Sequence, residues 1–391
     1  MSYKVLSLKW RPQRFEDVIG QNHVTQTLIN AINLDKVAQA YLFTGPRGVG
    51  KTTTARILAM AINSPSSSIE KFDPNSIESR EIATGISMDV IEIDGASNRG
   101  IEEIRNLREQ IKFSPMNSKF KIIIIDEVHM LTTQAFNALL TTLEEPPEHG
   151  KFIFATTDIH KVPSTIISRC QRFDFNRISI SDITTKLHNI LKAEGIKMST
   201  ESIFLIAKKA DGSMRDALSL LDQVIAYCGE SFEHEKIISA LGVIQSELYF
   251  EFTDAILGKD YQKMAGLIKT LSKTGVQPTE IVLGIIEHLK NILYSGIQHA
   301  DLLIELNKDD RSRYLEENKN WDRRDIFYVN QMLMDSLINI KQSDSPFLVL
   351  EMIFFKILEM ENSVQLSDLI DKIEGSIINN EKSPTNKKTT L

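Results

Sequence analysis

Residues 45–52 read Gly45-Pro46-Arg47-Gly48-Val49-Gly50-Lys51-Thr52, a complete GxxxxGK[ST] motif. Its glycines let consecutive backbone N–H groups curl around phosphate oxygens, and a helix starting there adds a partial positive charge. Lys51 can then reach the β- and γ-phosphates, and the Thr52 hydroxyl can ligate Mg²⁺. Downstream, Ile122-Ile123-Ile124-Ile125-Asp126-Glu127 ends an apolar run in two acids. A buried strand with that ending delivers both carboxylates to the sheet edge where ligands bind. There Asp126 would hold Mg²⁺ through water, and Glu127 would polarise the attacking water. Together the two motifs predict nucleoside triphosphate hydrolysis. Thr156-Thr157 closes another apolar run, where a polar side chain between the two motifs could sense the γ-phosphate. Arg169, in Ser168-Arg169-Cys170, could serve its own fold or stabilise γ-phosphate charge on a neighbouring subunit. Arg215, in Gly212-Ser213-Met214-Arg215-Asp216, opens a helix and could fold back onto the nucleotide. His129, beside the acids, reads as a packing residue rather than a catalytic one.

These residues need elements to hold them. Tyr41 to Phe43, Val90 to Ile93, Lys121 to Ile125 and Phe152 to Ala155 are short apolar runs. They alternate with helical stretches at Thr52 to Ile62 and Gly100 to Lys112, which implies a parallel sheet covered on both faces. After Phe175 the strand signals stop, and Ser181 to Glu194, Thr200 to Ala210 and Ser213 to Tyr227 read as a small helical domain. A third, helical region runs from about Leu241 to about Glu361, with apolar helical spacing in Ile281 to Ile297 and Phe347 to Leu358. Ser64 to Arg80 is a polar interruption, read as a loop-like insertion. From about Gly375 the Asn-, Lys- and Thr-rich end reads as disordered.

Composition narrows the class. With 391 residues, 42% of them hydrophobic and 25% charged, the chain should fold as two or three domains. Only two cysteines, Cys170 and Cys228, argue for a reducing, cytoplasmic compartment, and no apolar stretch approaches membrane-spanning length. A net charge of −7 leaves any DNA contact to a local basic surface rather than bulk attraction.

Several segments together carry a resemblance: Lys9-Trp10-Arg11-Pro12 with Phe15, Val18, Gly20 and Gln21, the phosphate loop, DEVHMLTTQAFNALLTTLEEPPEH, ATTDIHKVPSTIISRC and GSMRDALSLLDQ. In these the chain resembles bacterial DNA polymerase III subunit gamma/tau, a clamp-loader ATPase of the AAA+ superfamily, densely to about Val243 and more weakly beyond. The resemblance implies an α/β AAA+ P-loop domain over 1–178, with a degenerate zinc-module insertion at 64–80. A helical lid over 179–242, a helical oligomerisation collar over 243–365 and a tail over 366–391 would follow. It implies ATP with Mg²⁺, bound by residues 45–52 and Asp126, with Glu127 completing the Walker B pair. Thr157 would be the first sensor, with Thr156 in reserve. Arg169 would be an arginine finger acting on a neighbour and Arg215 the second sensor. Arg11, Pro12, Val18 and Ile19 would lie near the adenine and ribose. The implied partners are further gamma copies, delta- and delta-prime-like subunits, the sliding clamp and primer–template DNA. In length the chain resembles the short, gamma-like form, so direct binding to the polymerase core and helicase is not expected.

The chain also departs from the family. Where a four-cysteine zinc module usually sits, this sequence has Ser64, Asp73, Ser76 and Ser79, poor zinc ligands, so no structural zinc and a more mobile loop are expected. A lysine usual in the helix before Glu-Glu-Pro-Pro is Thr141 here, and Arg99 and Arg105 offer little basic surface nearby, which predicts weaker DNA contact. Two other functions share the phosphate loop and acids: a DNA translocase of the branch-migration type, and an inert loader scaffold. The all-helical pattern after Leu241 disfavours the first, and intact Lys51, Thr52, Asp126 and Glu127 disfavour the second.

Overall fold

The β-branched and aromatic runs form one five-stranded parallel sheet: β1 (Ala40–Thr44), β2 (Val90–Asp94), β3 (Lys121–Asp126), β4 (Gly150–Thr156) and β5 (Gln171–Asp174). The order β2-β3-β4-β1-β5 seats β4 between the strand that ends in the acids and the strand that enters the phosphate loop. The structure, a computed structural model, describes residues 4–64, 72–229, 231–297 and 308–360. The chain divides into two units, Met1–Leu241 and Gly242–Leu391.

In the first unit the strand pleat sorts side chains onto two faces. Tyr41, Phe43, Ile122, Ile124 and Ile153 join one core with α2 (Asn22–Asn33), α3 (Lys51–Ile62) and α4 (Ile77–Thr84), which follow the short α1 (Leu6–Lys9). Leu42, Ile123, Ile125, Phe152 and Phe154 join the other, against α5 (Ile101–Lys112), α6 (Thr133–Glu144) and the short α7 (Ser164–Ile167). Both faces are covered, so these strands are apolar almost throughout rather than alternating. Buried Asp89 accepts hydrogen bonds from the backbone N–H groups of Met116, Asn117 and Ser118, at 2.8, 2.8 and 3.0 Å, and so fixes the loop that feeds β3.

Four helices follow in the same unit: α8 (Ile180–Glu194), α9 (Thr200–Lys209), α10 (Met214–Cys228) and α11 (His234–Leu241). Serines start three of them. Ser179, Ser199 and Ser213 each accept a hydrogen bond from the backbone N–H three residues on, the local signal that begins a helix.

The second unit, over its described residues, is all helical: α12 (Ser246–Gly258), α13 (Tyr261–Lys273), α14 (Pro278–Ser295), α15 (Lys308–Glu317), α16 (Arg323–Gln342) and α17 (Pro346–Leu358). Its core joins Phe250, Phe252, Ile285, Leu289, Val329, Leu333 and Phe354. Phe327, Met334 and Ile338 recur at helical spacing on α16, and Leu348 and Met352 on α17; all five remain exposed.

One expectation needs correction. Residues 64–80 are not loop throughout, because α4 starts at Ile77. The Ser76 side chain accepts a hydrogen bond from Ser79 N, and Ile82 turns into the core, so a capping signal prevails over the polar composition. The exposed strand β5 and the helix α2 also lay outside the apolar runs read from the sequence; β5 buries only Phe173. The tail and residues 65–71 lie outside the described residues.

Candidate functional site

The phosphate loop leaves β1 and turns directly into α3. Gly45, Gly48 and Gly50 all have positive φ, at 144°, 76° and 107°. A side chain on Gly45 would strike the Phe175 carbonyl oxygen, and one on Gly48 would strike the Ser213 side chain. Glycine at these two positions therefore serves close approach as well as backbone shape. Lys51 is buried, and its Nζ donates to the carbonyl oxygens of Gly45 and Pro46, both at 2.7 Å. Burial lowers its pKa, against the opposing pull of Glu127 and Asp126. Its ammonium can exchange those carbonyls for phosphate oxygens without moving far.

The acids sit across the sheet edge. Thr52 Oγ1 donates to Asp126 Oδ2 at 2.6 Å, which brings together the two groups expected to hold Mg²⁺. A hydroxyl and a carboxylate are hard oxygen donors, and they fit that ion. Glu127 occupies the left-handed region at φ 47°, uncommon for a residue with a side chain, and its N–H donates to Asp126 Oδ1 at 2.9 Å. Its Oε2 accepts from Thr157 N at 3.2 Å and from Thr157 Oγ1 at 2.9 Å. Thr157 thus touches Glu127 directly. Thr156 is fully buried, and its hydroxyl bonds to Asp158 and His129 instead.

Two further segments close on the loop. The start of α10 docks on it, with Arg215 N donating to Gly48 O at 3.4 Å. Ahead of the sheet, Arg11 Nε donates to Thr53 Oγ1 at 3.2 Å, and buried Val18 lies beside Gly50. Burial lowers the Arg11 pKa, and nearby Arg56 and Arg215 lower it further. Pro12 and Ile19 are half-buried in the same segment.

The N-terminal segment also grips the α8–α10 bundle, a feature that sequence spacing does not reveal. Trp10 Nε1 and Lys9 Nζ both donate to the Glu194 carboxylate at 2.7 Å, and Leu6 N donates to Asp222 at 2.8 Å. Gln21, fully buried, donates to Asn176 O and accepts from Asn176 N. On the other side, Arg56 makes a two-pronged pair with Glu92 at 2.5 and 2.7 Å, tying α3 to β2. Partners this distant in sequence leave no local signal.

Arg169 faces elsewhere. Its Nη2 donates to Glu144 Oε1 at 2.6 Å and its Nη1 to Thr165 O at 2.8 Å. Glu144 ends α6 and Thr165 lies on α7, and among the described residues Arg169 makes no hydrogen bond to Lys51, Thr52, Asp126, Glu127 or Thr157. Burial pushes the neighbouring Cys170 thiol up to about 12, which keeps it protonated. Arg105 is paired with Glu102 on its own helix at 2.6 Å, Arg99 Nε donates to Ala96 O, and Thr141 is exposed.

At the expected zinc positions, Ser76 Oγ and Ser79 Oγ bond each other at 3.0 Å, and Ser79 Oγ donates to Asp73 O at 3.0 Å. Hydroxyls and backbone close this turn.

A phosphate loop, a strand-end acid pair, a threonine on the acid and a helical bundle seated on the loop define a P-loop ATPase of the AAA+ class. Residues 20–179 match a family model described as DNA polymerase III, delta subunit. Residues 182–230 match the clamp loader ATPase lid domain, and 232–373 match domain III of subunits gamma and tau. The chain is 39% identical to DNA polymerase III subunit tau of Bacillus subtilis, over 100% of this chain and 69% of that protein. It is 38% identical to subunit gamma of Buchnera aphidicola from Acyrthosiphon pisum, over 92% of this chain and 99% of that one. Against Escherichia coli subunit tau, 40% identity covers 77% of this chain and 47% of that protein. This chain belongs to the gamma/tau family of DNA polymerase III clamp-loader subunits.

Proposed function

We propose that the chain is the ATP-driven motor of a replicative clamp loader, and that its sites act as the resemblance implies. One observation carries the reading. Lys51, Thr52, Asp126, Glu127 and Thr157 converge on one sheet edge under the start of α10, whereas Arg169 bonds to Glu144 and Thr165 instead. Lys51 and the loop N–H groups bind the β- and γ-phosphates, and Thr52 with Asp126 would hold Mg²⁺, which neutralises charge on the phosphates. Glu127 orients the attacking water and takes its proton, and Thr157 holds Glu127 in place. The Arg169 guanidinium reaches the γ-phosphate of an adjacent subunit, and Arg215 reads the nucleotide from the lid. ATP then favours assembly by binding one arrangement of subunits and lid better than another.

Assembly with other loader subunits follows from family membership. The exposed apolar stripe of α16 and α17 supports the collar as the surface that joins them. The sliding clamp and primer–template DNA are the proposed cargo. Paired Arg105 and uncharged Thr141 support modest DNA contact with a shallow salt dependence. The hydroxyl-closed turn at Asp73, Ser76 and Ser79 supports a subunit without structural zinc. An inert scaffold is disfavoured by the complete Lys51, Thr52, Asp126 and Glu127 set. The described part of the second unit contains helices and no strands, unlike a branch-migration motor's winged helix.

The test is co-purification with candidate loader subunits and clamp, with ATP and with ADP, followed by DNA-stimulated ATPase. Clamp capture in ATP and release after hydrolysis is the expected result; ATP-independent capture, or a homohexamer that translocates on DNA, would defeat the reading.

A further inference from the structure

His129 follows the acid pair in the short helical turn Val128–Met130, and its side chain is 9% exposed. Its Nδ1 lies 3.0 Å from Thr156 Oγ1 and 3.3 Å from Glu127 Oε2. Both neighbours demand the same tautomer. A carboxylate oxygen only accepts hydrogen bonds. The Thr156 hydroxyl spends its one proton on Asp158 O at 3.1 Å and accepts from Asp158 N at 3.0 Å. The proton therefore sits on Nδ1, which donates to Thr156 Oγ1 and stands beside Glu127 Oε2. The opposite tautomer would aim a lone pair at both oxygens.

From this geometry we infer that His129 is a positioning residue for hydrolysis: its Nδ1–H, bonded to Thr156 and 3.3 Å from Glu127 Oε2, holds the Glu127 carboxylate against the end of β4. The inference rests on the reading of Glu127 as the group that takes the water's proton. Oε2 accepts from Thr157 N and Thr157 Oγ1, and the His129 ring nitrogen stands beside the same oxygen at 3.3 Å. No hydrogen bond among the described residues engages Oε1, which leaves that oxygen for the water. A carboxylate anchored through one oxygen keeps the other aimed, and aim is what an attacking water requires. The arrangement also couples strands: Glu127 follows β3 and Thr156 ends β4, so displacement of either strand end disturbs the carboxylate. His129 itself touches neither water nor nucleotide in this scheme.

Side-chain substitution at one ring nitrogen tests it. An asparagine amide places a donor near Nδ1, a glutamine amide places one near Nε2, and leucine supplies none. In the full chain assembled with its partner subunits, His129→Leu and His129→Gln should each lower kcat by about 10- to 100-fold, the worth of one hydrogen bond to a charged group. KM and ATP affinity should stay within about twofold, and His129→Asn should retain kcat to within about threefold, since it keeps the donor. Equal kcat in the leucine variant, rescue by glutamine rather than asparagine, or loss of ATP binding in all three would overturn the inference. Glu127→Gln is measured alongside. It should abolish turnover; unchanged turnover would remove the underlying role of Glu127, whatever the histidine variants show.

Discussion

Thr52 Oγ1 donates to Asp126 Oδ2 across 2.6 Å, joining the first turn of α3 to the last residue of β3. This one bond brings together two hard oxygen donors from residues 74 positions apart. Thr52→Val keeps the shape and removes the donor and the ligand. Hydrolysis of Mg-ATP should fall roughly 10- to 100-fold, as expected for a bond to a charged group. Metal-free nucleotide affinity should change little. Equilibrium binding with and without Mg²⁺, beside steady-state ATPase, separates the two effects.

Arg169 is bound to Glu144 and Thr165 O rather than to its own acids. Arg169→Ala should therefore leave nucleotide affinity of the isolated chain unchanged while lowering ATPase of the assembly by about 10³-fold or more. A loss of nucleotide affinity in the isolated chain would place the arginine in its own site instead.

The stripe of Phe327, Met334 and Ile338 is exposed on α16 and points away from a filled core. Ile338→Glu should leave the thermal midpoint of the chain within a few degrees, since surface changes usually cost less than about 0.5 kcal/mol. It should lower the assembly's apparent mass in analytical ultracentrifugation. An intact assembly at micromolar concentration would show that another surface joins the subunits.

Elemental analysis of the purified chain should find no stoichiometric zinc. Ser76→Ala removes the hydroxyl that accepts from Ser79 N, and this should cost about 1 kcal/mol, read as a shift in urea midpoint. Stoichiometric zinc, or a chelator-sensitive midpoint, would contradict the hydroxyl-closed turn.

His288 is buried against Phe250, Tyr249 and Tyr314, with Arg313 nearby, and burial first and Arg313 second drop its pKa to about 3. The unfolded chain takes up this proton near pH 6.5 while the folded chain does not. Between pH 6.5 and about 3 the unfolded state binds more protons, so the contribution is complete above 6.5 and is lost as pH falls. The slope from this one group approaches about 1.4 kcal/mol per pH unit. Trp321, buried in the same unit, reports it by fluorescence in urea between pH 7 and pH 5. His288→Phe should flatten the dependence, and an unchanged slope would assign it to other groups.

What the sequence by itself determined is what neighbouring residues determine together. Gly45 to Thr52 shape a phosphate loop through their own backbone, Ile122 to Glu127 carry acids out on their own strand, and serines before α8, α9 and α10 cap their own helices. Alternating apolar runs were enough for a parallel sheet with helices on both faces. The order of strands was decided by tertiary structure, and much of the site depends on it. Because β4 lies beside β3, Thr157 and not Thr156 reaches Glu127, and Thr156 is left to hold His129. Lys9 and Trp10 found Glu194 some 184 residues away, and Gly48 found Ser213. Such partners are chosen by packing of whole elements, which no local pattern encodes. Even the polar stretch at 64–80 followed this division: its composition spoke for a loop, and a serine cap with Ile82 packed into the core made its end a helix.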